Sequence, residues 1–298
     1  MKPPPFEYHA PRDLGAALQI LAEVRGKVLA GGQSLIPMLN MRLAAPEHLV
    51  DINRVASLGG FERTEAGVRA GALARHSEVA RAGAHPLLTK ALKLVAHPVI
   101  RNRGTVVGSL VHADPAAELP AVLAVLGGSV RVARWDGGAA APADGMPPGA
   151  AVRDVSARDF FTGPMESAVQ PDELAVSAFF PALGPRTGAA FEEVARRHGD
   201  YALAGVCAVV TLDEDAFVTA ARIACIGVGP VPVVVDVSEE TGRCRVHELD
   251  GIVARLAQDA SEPDGDIHAS AAYRRHLVGV LAERAVRNAA REAETGGA

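Results

Sequence analysis

The apolar positions of this chain change period several times, and each change marks an element. Leu14, Ala17, Leu18, Leu21 and Val24 recur at helical spacing, which predicts a helix over residues 13–25 closed by Gly26. A short β-rich run, Val28-Leu29-Ala30, then meets the glycine pair Gly31-Gly32, followed by Gln33 and Ser34. Leu35, Met38, Leu39 and Leu43 return to helical spacing, so a helix starts near Ser34. Pro37 falls in its first turn, where a missing N–H costs little. Residues 48–52 read as another short strand that turns at Asn53. Strand, helix, strand this early predicts a small α/β subdomain.

The pattern continues with a strand over 67–73, a short helix capped by Ser77 and running to Ala82, and a stronger helix over 87–96 stopped at His97-Pro98. A helix over 116–126 ends at Gly127-Gly128, and a strand follows over 129–135. Residues 136–150, DGGAAAPADGMPPGA, predict an exposed loop. Order returns over 152–161, a strand over 173–180 ends at Pro181, and 182–187 reads as a linker. Three longer β-runs, 189–195, 201–213 and 217–227, joined by short turns, predict an antiparallel meander. Helices over 249–258 and 273–291 close the chain, the last with Tyr273, Leu277, Val280, Leu281 and Val286 as its apolar stripe. No internal repeat is visible.

Length and charge narrow the classes. At 298 residues the chain has room for two domains, each with its own core. A net charge of −5 argues against a nucleic-acid-binding surface. The opening MKPPPFEYHAPRDL has no apolar core of a secretory signal, and the most apolar stretches, of about ten residues, are too short to span a bilayer. The expectation is a cytoplasmic protein without a membrane span. Cys207, Cys225 and Cys244 contain no C-x-x-C and are too few to hold an iron–sulfur cluster on this chain. Their odd number argues against a disulfide framework.

Candidate chemistry gathers at two places. Strand, glycine turn, polar residue and helix start at residues 28–35 form the layout that presents free backbone N–H groups to an anion. Residues 104–109, GTVVGS, give a second small-residue turn, with Thr105 and Ser109 as hydroxyl donors. Two such turns on separate loops suit a diphosphate gripped from both sides, against the plain alternative of two unrelated loops. Neither turn fits G-x-G-x-x-G, and no glycine loop is followed by G-K-[ST], so a Rossmann-bound nicotinamide cofactor and a Walker-type nucleotide are disfavoured. His112, Asp114 and Glu118 fall short of a metal set. Asp114 and Glu118 suit sugar hydroxyls, and Asp114 ahead of Pro115 suits a helix N-cap equally well. Tyr201, after Gly199-Asp200, is either a rim residue or a ring stacked on a planar ligand. Arg196-Arg197-His198 reads as a solvated strand end. No G-x-S-x-G or activated Ser or Cys nucleophile is present.

Four segments carry a resemblance. AGGQSLIPMLNMRLAAPEHLVDI (30–52) and IRNRGTVVGSLVHADPAAELPAVL (100–123) look like the first and second flavin loops of the FAD-binding medium subunits of molybdenum hydroxylases, the family of carbon monoxide and xanthine dehydrogenase flavoproteins. RRHGDYALAG (196–205) is similar to that family's third landmark, and AYRRHLVGVLAERAV (272–286) to its terminal helix. The likeness runs nearly end to end. It implies an α+β fold: a PCMH-type FAD-binding domain over 1–181, built of α/β subdomains at about 1–55 and 56–181, then a carboxy-terminal domain of antiparallel sheet and helices over 188–292.

The resemblance also implies roles. Ala30, Gly31, Gly32, Gln33 and Ser34, flanked by Leu29 and Leu35, would hold the FAD diphosphate together with Thr105, Val106, Val107, Gly108 and Ser109. Asp114 and Glu118 would lie near the ribityl or ribose hydroxyls and His112 near the flavin. Tyr201 would cover the isoalloxazine ring, Leu174 would approach its edge or the adenine, and Asp200 beside Tyr201 counts among the cofactor-binding residues. Two positions depart from the family pattern. Val107 stands where many relatives have glycine, which narrows the backbone of that loop. Gln33 stands where some carry histidine, and glutamine cannot form a histidyl–flavin bond, so the FAD is expected to be non-covalent. The implied function is electron transfer through FAD to an external acceptor. Molybdopterin would sit on a large partner and [2Fe-2S] clusters on a small one, in a dimer of heterotrimers. A self-sufficient flavoprotein oxidising a small molecule and a non-catalytic flavin-binding subunit are the competing readings.

Overall fold

The first strand–helix–strand pattern closes on itself as a three-stranded parallel sheet. In a computed structural model describing residues 1–137 and 145–296, β1 (Glu7–His9), α1 (Leu14–Val24), β2 (Lys27–Leu29), α2 (Leu35–Met41) and β3 (His48–Asp51) form a sheet of order β1-β3-β2. The Asp13 carboxylate caps α1 by accepting from the Ala16 N–H at 2.9 Å. Replacing it with alanine is expected to cost about 1 kcal/mol, read as a lower urea midpoint at unchanged slope. The helix ends not on Gly26 but on Arg25, which takes the left-handed conformation at φ 48°. Gly26 is needed for packing instead: a Cβ there would lie 3.0 Å from the His48 carbonyl. The second helix also stops early, at Met41, with Arg42 left-handed at φ 61°.

After this unit the chain builds a five-stranded antiparallel sheet of order β4-β5-β10-β6-β7, from β4 (Phe61–Thr64), β5 (Gly67–Gly71), β6 (Ser129–Trp135), β7 (Ala150–Ser156) and β10 (Glu173–Pro181). Between β5 and β6 run α3 (His76–Arg81), α4 (Pro86–Leu94), the single turn α5 (Pro98–Arg101), α6 (Val106–His112) and α7 (Glu118–Leu126). The turn α8 (Ala157–Phe160) and the small hairpin β8 (Phe161–Gly163) and β9 (Glu166–Ser167) precede β10. The expected exposed loop over 136–150 falls partly on 138–144, outside the described residues. The helix expected to be capped by Ser77 starts two residues earlier, with Arg75 at its N-cap position.

The meander is present and longer than expected. β11 (Thr187–Ala195), β12 (Ala202–Leu212), β13 (Val218–Ile226) and a fourth strand, β14 (Val233–Asp236), pair in sequence order. The turn α9 (Ser238–Thr241), then α10 (Ile252–Asp259) and α11 (Ala271–Glu294), follow. The sequence ALAGVCAVVTL of β12 is almost continuously buried because both faces are covered, by α11 on one side and α7 on the other. The stripe expected on α11 is displaced. Tyr273 and Val280 are exposed, while Val278, Leu281, Ala282, Ala285, Val286, Ala289, Ala290 and Ala293 face the sheet. Small alanines let the helix lie close. Gly188 of β11 has no room for a side chain beneath it, since a Cβ there would fall 2.1 Å from the Ala289 carbonyl oxygen.

Two faces of the five-stranded sheet are used. One packs on α1 of the parallel unit through Leu18, Leu21, Ala133, Leu174 and Val176; the other packs on α6 and α7, with α4 behind α7. Helix α7, ELPAVLAVL, is apolar all round and runs between this sheet and the meander. The two regions therefore share a core that includes Leu123, Cys207, Ala224 and Ile226. Three loops and the β11–β12 turn are drawn to one place.

Candidate cofactor site

The place is a cleft of about 740 Å³ bounded by the β2–α2 loop, the start of α6, the α6–α7 connection, the start of β10 and the β11–β12 turn. Its first wall is the loop after β2. Gly32 takes φ 74°, which lets the chain turn into α2. Ser34 sits at the N-cap position with no side-chain cap bond. Among the described residues, the backbone N–H groups of residues 32–35 donate to no protein acceptor. They are the free amides an anion requires. Gln33 is turned back, its Nε2 donating to the Gly31 carbonyl at 3.2 Å.

The second wall corrects the sequence reading. Residues 104–109 are not a glycine turn but the N-terminus of α6, with Thr105 as N-cap and its Oγ1 accepting from the Gly108 N–H at 3.1 Å. Gly108 is helical, and glycine is needed there because a Cβ would sit 2.5 Å from that Oγ1. Val107 is likewise helical and buried in the core, so its branched side chain meets no backbone conflict. The narrowing of a loop backbone expected from valine does not apply, because this segment is helix.

The two walls meet at Gly31. A Cβ there would fall 2.4 Å from the Arg103 carbonyl oxygen and 3.0 Å from Gly104 Cα. Three residues that the sequence reading missed tie this junction. Asn53 Nδ2 donates to the Ala30 carbonyl at 2.8 Å and to Asp51 Oδ1 at 2.6 Å. Arg75 then donates to Asn53 Oδ1 at 2.7 Å and to the Arg103 carbonyl at 2.5 Å, so one guanidinium holds both loops. His76, also unforeseen, lines the cleft and lies with Nε2 2.9 Å from the Thr105 carbonyl and 3.0 Å from Ser109 Oγ. A carbonyl only accepts, so Nε2 carries the proton. Burial pushes the His76 pKa down to about 4, leaving the ring neutral. An isolated polar residue ahead of a short helix carries no signal of such a role in the sequence.

The carboxylate side is acidic and partly dry. Asp114 does not cap α7, whose N-cap position is Ala117; its Oδ1 accepts from the Ala116 N–H at 2.9 Å and closes the connecting turn. Burial, with Glu193 and Asp114 adding repulsion, pushes Glu118 up to about 8. His112 is held below its ordinary value, chiefly by burial, and Lys27 opposes its protonation while Asp114 favours it. Lys27 is the only lysine or arginine among the lining residues. Tyr201 lines the cleft and is 62% exposed, with Asp114 and Glu118 acting on its hydroxyl. Loss of water, followed by Asp114 and Glu118, pushes its phenol up to about 12. The turn that presents it is fixed by Gly199, φ 86°, against the His97 ring, where a Cβ would lie 2.6 Å from Cε1. Asp200 is paired with Arg196 at 3.5 Å.

Every residue named from the sequence lines this cleft except Leu29 and Val106. In β2 successive side chains alternate, so Val28 and Ala30 face the cleft and Leu29 turns behind Gly32. Val106 is fully buried in the helix core. Met165, which holds φ 58° on the loop between β8 and β9, and Ile100 of α5 complete the lining. The donor set fits an elongated dinucleotide: a run of free amides for a diphosphate, hydroxyl partners beside it, and apolar walls at Val28, Ile52 and Leu174 for a planar ring.

Comparison with known proteins agrees with that chemistry. Residues 4–183 match the FAD binding domain in molybdopterin dehydrogenase, and residues 189–289 match the CO dehydrogenase flavoprotein C-terminal domain. The chain is 36% identical to the 6-hydroxypseudooxynicotine dehydrogenase complex subunit alpha of Paenarthrobacter nicotinovorans, over 97% of this chain and 96% of that one. It superposes with a TM-score of 0.85 at 33% identity on a chain of the Hydrogenophaga pseudoflava carbon monoxide dehydrogenase that lacks the Mo-pyranopterin moiety, covering 97% and 98% of the two chains. The corresponding values for a chain of quinoline 2-oxidoreductase from Pseudomonas putida 86 are 0.86 and 33%, covering 98% and 99%.

Proposed function

Since the chain belongs to the FAD-binding medium subunits of molybdenum hydroxylase-type dehydrogenases, we propose that it is the electron-transfer subunit of such a complex, standing between iron–sulfur clusters on a partner and an external acceptor. The observation that carries this reading is the cleft in which free backbone amides from the β2–α2 loop face the start of α6. When bound, FAD supplies the redox carrier, and the protein supplies position and electrostatics.

The chain's own groups divide that work. The amides from Gly31 to Leu35 and the start of α6, Thr105 to Ser109, hold the diphosphate. Leu29 and Val106 support those two loops from behind. Asp114 and Glu118 accept or share hydrogen bonds with sugar hydroxyls. His112 and Leu174 border the ring, and Tyr201, steadied by Asp200, covers it. With Gln33 folded onto Gly31 and no histidine in its place, the FAD is non-covalent and dissociable. The FAD-binding domain spans 1–181 and the carboxy-terminal domain 188–292.

Substrate oxidation belongs to partners in this reading. The relatives carry names built on unlike compounds, 6-hydroxypseudooxynicotine, carbon monoxide and quinoline, while matching 97% or 98% of this chain. A large molybdopterin subunit and a small [2Fe-2S] subunit complete a heterotrimer, which pairs as a dimer of heterotrimers in the cytoplasm. Cys207 and Cys225 are fully buried with thiol pKa values pushed up by that burial, Cys225 to about 12, which leaves them no part in cluster binding.

The test is flavin uptake. The purified chain is expected to take up one equivalent of FAD with the absorption of an oxidised flavin, and a chain that takes up none overturns the reading. Gly32→Val places a branched residue at φ 74° within 3.1 Å of Ile36, and is expected to remove flavin while the carboxy-terminal sheet stays folded. Co-purification with chains carrying molybdenum and iron tests the assignment to a complex.

A further inference from the structure

At the β1 edge of the parallel sheet, three side chains that are not among the cleft's lining residues converge. Glu7 and His9 are two residues apart on β1 and so share one face of that strand. His48 opens β3 directly opposite Glu7 in the parallel register. Nε2 of His9 lies 3.2 Å from Nδ1 of His48, and Nδ1 of His48 lies 3.5 Å from Oε2 of Glu7. One ligand atom from each residue falls within 4.8 Å of the others.

We propose that His9, His48 and Glu7 form a divalent transition-metal site, with zinc the best fit, that pins the edge strand β1 to β3. Two imidazoles and a carboxylate are a ligand set that zinc accepts, and three protein ligands leave a fourth position to water. A tetrahedral ion bound at about 2.0–2.1 Å places its ligand atoms about 3.3–3.4 Å apart, which the two observed separations bracket. Hydrogen bonding alone explains the arrangement less well. His48 Nδ1 faces a carboxylate and a second imidazole nitrogen at once, and one N–H must serve both. A cation at the centre satisfies all three groups together. The ion has a mechanical use here. β1 is three residues long and lies at the sheet edge, and its other face is tied by the Tyr8 hydroxyl donating to Asp51 Oδ2 at 2.5 Å. Metal on one side and Tyr8 on the other clamp a strand whose ladder alone is short.

The test uses the full, untagged chain, freed of metal by chelator and desalted. Zinc sulfate titrated by calorimetry is expected to show one equivalent bound with a dissociation constant in the micromolar range or tighter, and to raise the unfolding temperature. Cobalt(II) is expected to give the intense visible bands of a low-symmetry four-coordinate site. His9→Asn and His48→Asn are each expected to weaken zinc binding at least tenfold, and Glu7→Gln less, with flavin content and far-ultraviolet dichroism unchanged. Absence of stoichiometric zinc binding to the wild type overturns the proposal. Undiminished binding in the His9→Asn/His48→Asn double variant overturns it as well, because the metal would then sit elsewhere, at Cys244 for example.

Discussion

Gly31→Ala is expected to lower FAD affinity at least a hundredfold while leaving the overall fold in place. One methyl group is enough because of where it lands. A Cβ at residue 31 falls 2.4 Å from the Arg103 carbonyl oxygen, nearly an ångström inside ordinary contact, and 3.0 Å from Gly104 Cα. Both obstacles are backbone and cannot rotate away. The β2–α2 loop and the loop before α6 must separate, and these are the two walls of the cleft. Their separation also strains the Arg75 clamp that reaches the Arg103 carbonyl and, through Asn53, the Ala30 carbonyl. In the proposed binding mode the diphosphate then loses one of its two walls, and a misplacement of about 1 Å in a binding constellation costs on the order of a hundredfold. The stability cost of overpacking is smaller, about 1–3 kcal/mol. Gly83→Ala serves as the control for general destabilisation. Gly83 has a left-handed φ of 58° with nothing within 4 Å of its Cβ position, so that variant strains the backbone far from the cleft. Equal flavin content in the two variants, measured by absorbance against protein after gel filtration, would refute the role given to Gly31.

What the sequence made legible, and what it did not, follows from how local each signal is. The helix α7 and the strand β6 are read correctly because seven or more consecutive residues repeat one environment, and Gly127 ends the helix with φ 65°. The start of α6 is misread as a glycine turn because Val106-Val107 carry strand propensity and Gly108 a turn signal. The Thr105 cap and burial against the five-stranded sheet decide otherwise. The stripe of α11 is misplaced because its inner face is alanine, which hydrophobicity scales rank below the exposed Tyr273 and Val280. The flavin loops are legible through glycines and the resemblance. Asn53, Arg75 and His76 are not, since their work depends on contacts from 22 to 33 residues away in the chain that no local pattern encodes.

Raising the pH from 5 to 8.5 is expected to destabilise the wild-type chain relative to a Glu118→Gln/Glu193→Gln variant by on the order of 2 kcal/mol or more. Glu118 lines the cleft at the start of α7, and Glu193 lies on β11 with a buried Oε2 that finds no hydrogen-bond partner. Burial pushes Glu193 up to about 7, and burial together with Glu193 and Asp114 pushes Glu118 up to about 8. Both carboxyls keep their protons in the folded protein at pH values where the unfolded chain has released them. Between the ordinary carboxylate range and pH 8 the folded state therefore binds more protons than the unfolded state, and stability falls as pH rises. Each tenfold change in a group's acidity on folding is worth about 1.4 kcal/mol, and partial solvent access reduces the total. Glutamine keeps the shape and cannot ionise, so the variant lacks this decline. The comparison with the variant is necessary because His76, His85 and His112 are held below their ordinary values and act in the opposite direction, adding stability as pH rises toward neutrality. They are common to both proteins and cancel in the difference. The same ionisation acts on the ligand. A second negative charge beside Asp114 repels an anionic dinucleotide, with Lys27 alone among the lining residues to offset it. FAD affinity of the wild type should fall through pH 8, while that of Glu118→Gln holds. Urea titrations and flavin fluorescence across the same pH series measure both, and parallel curves for the two proteins would place the proton elsewhere.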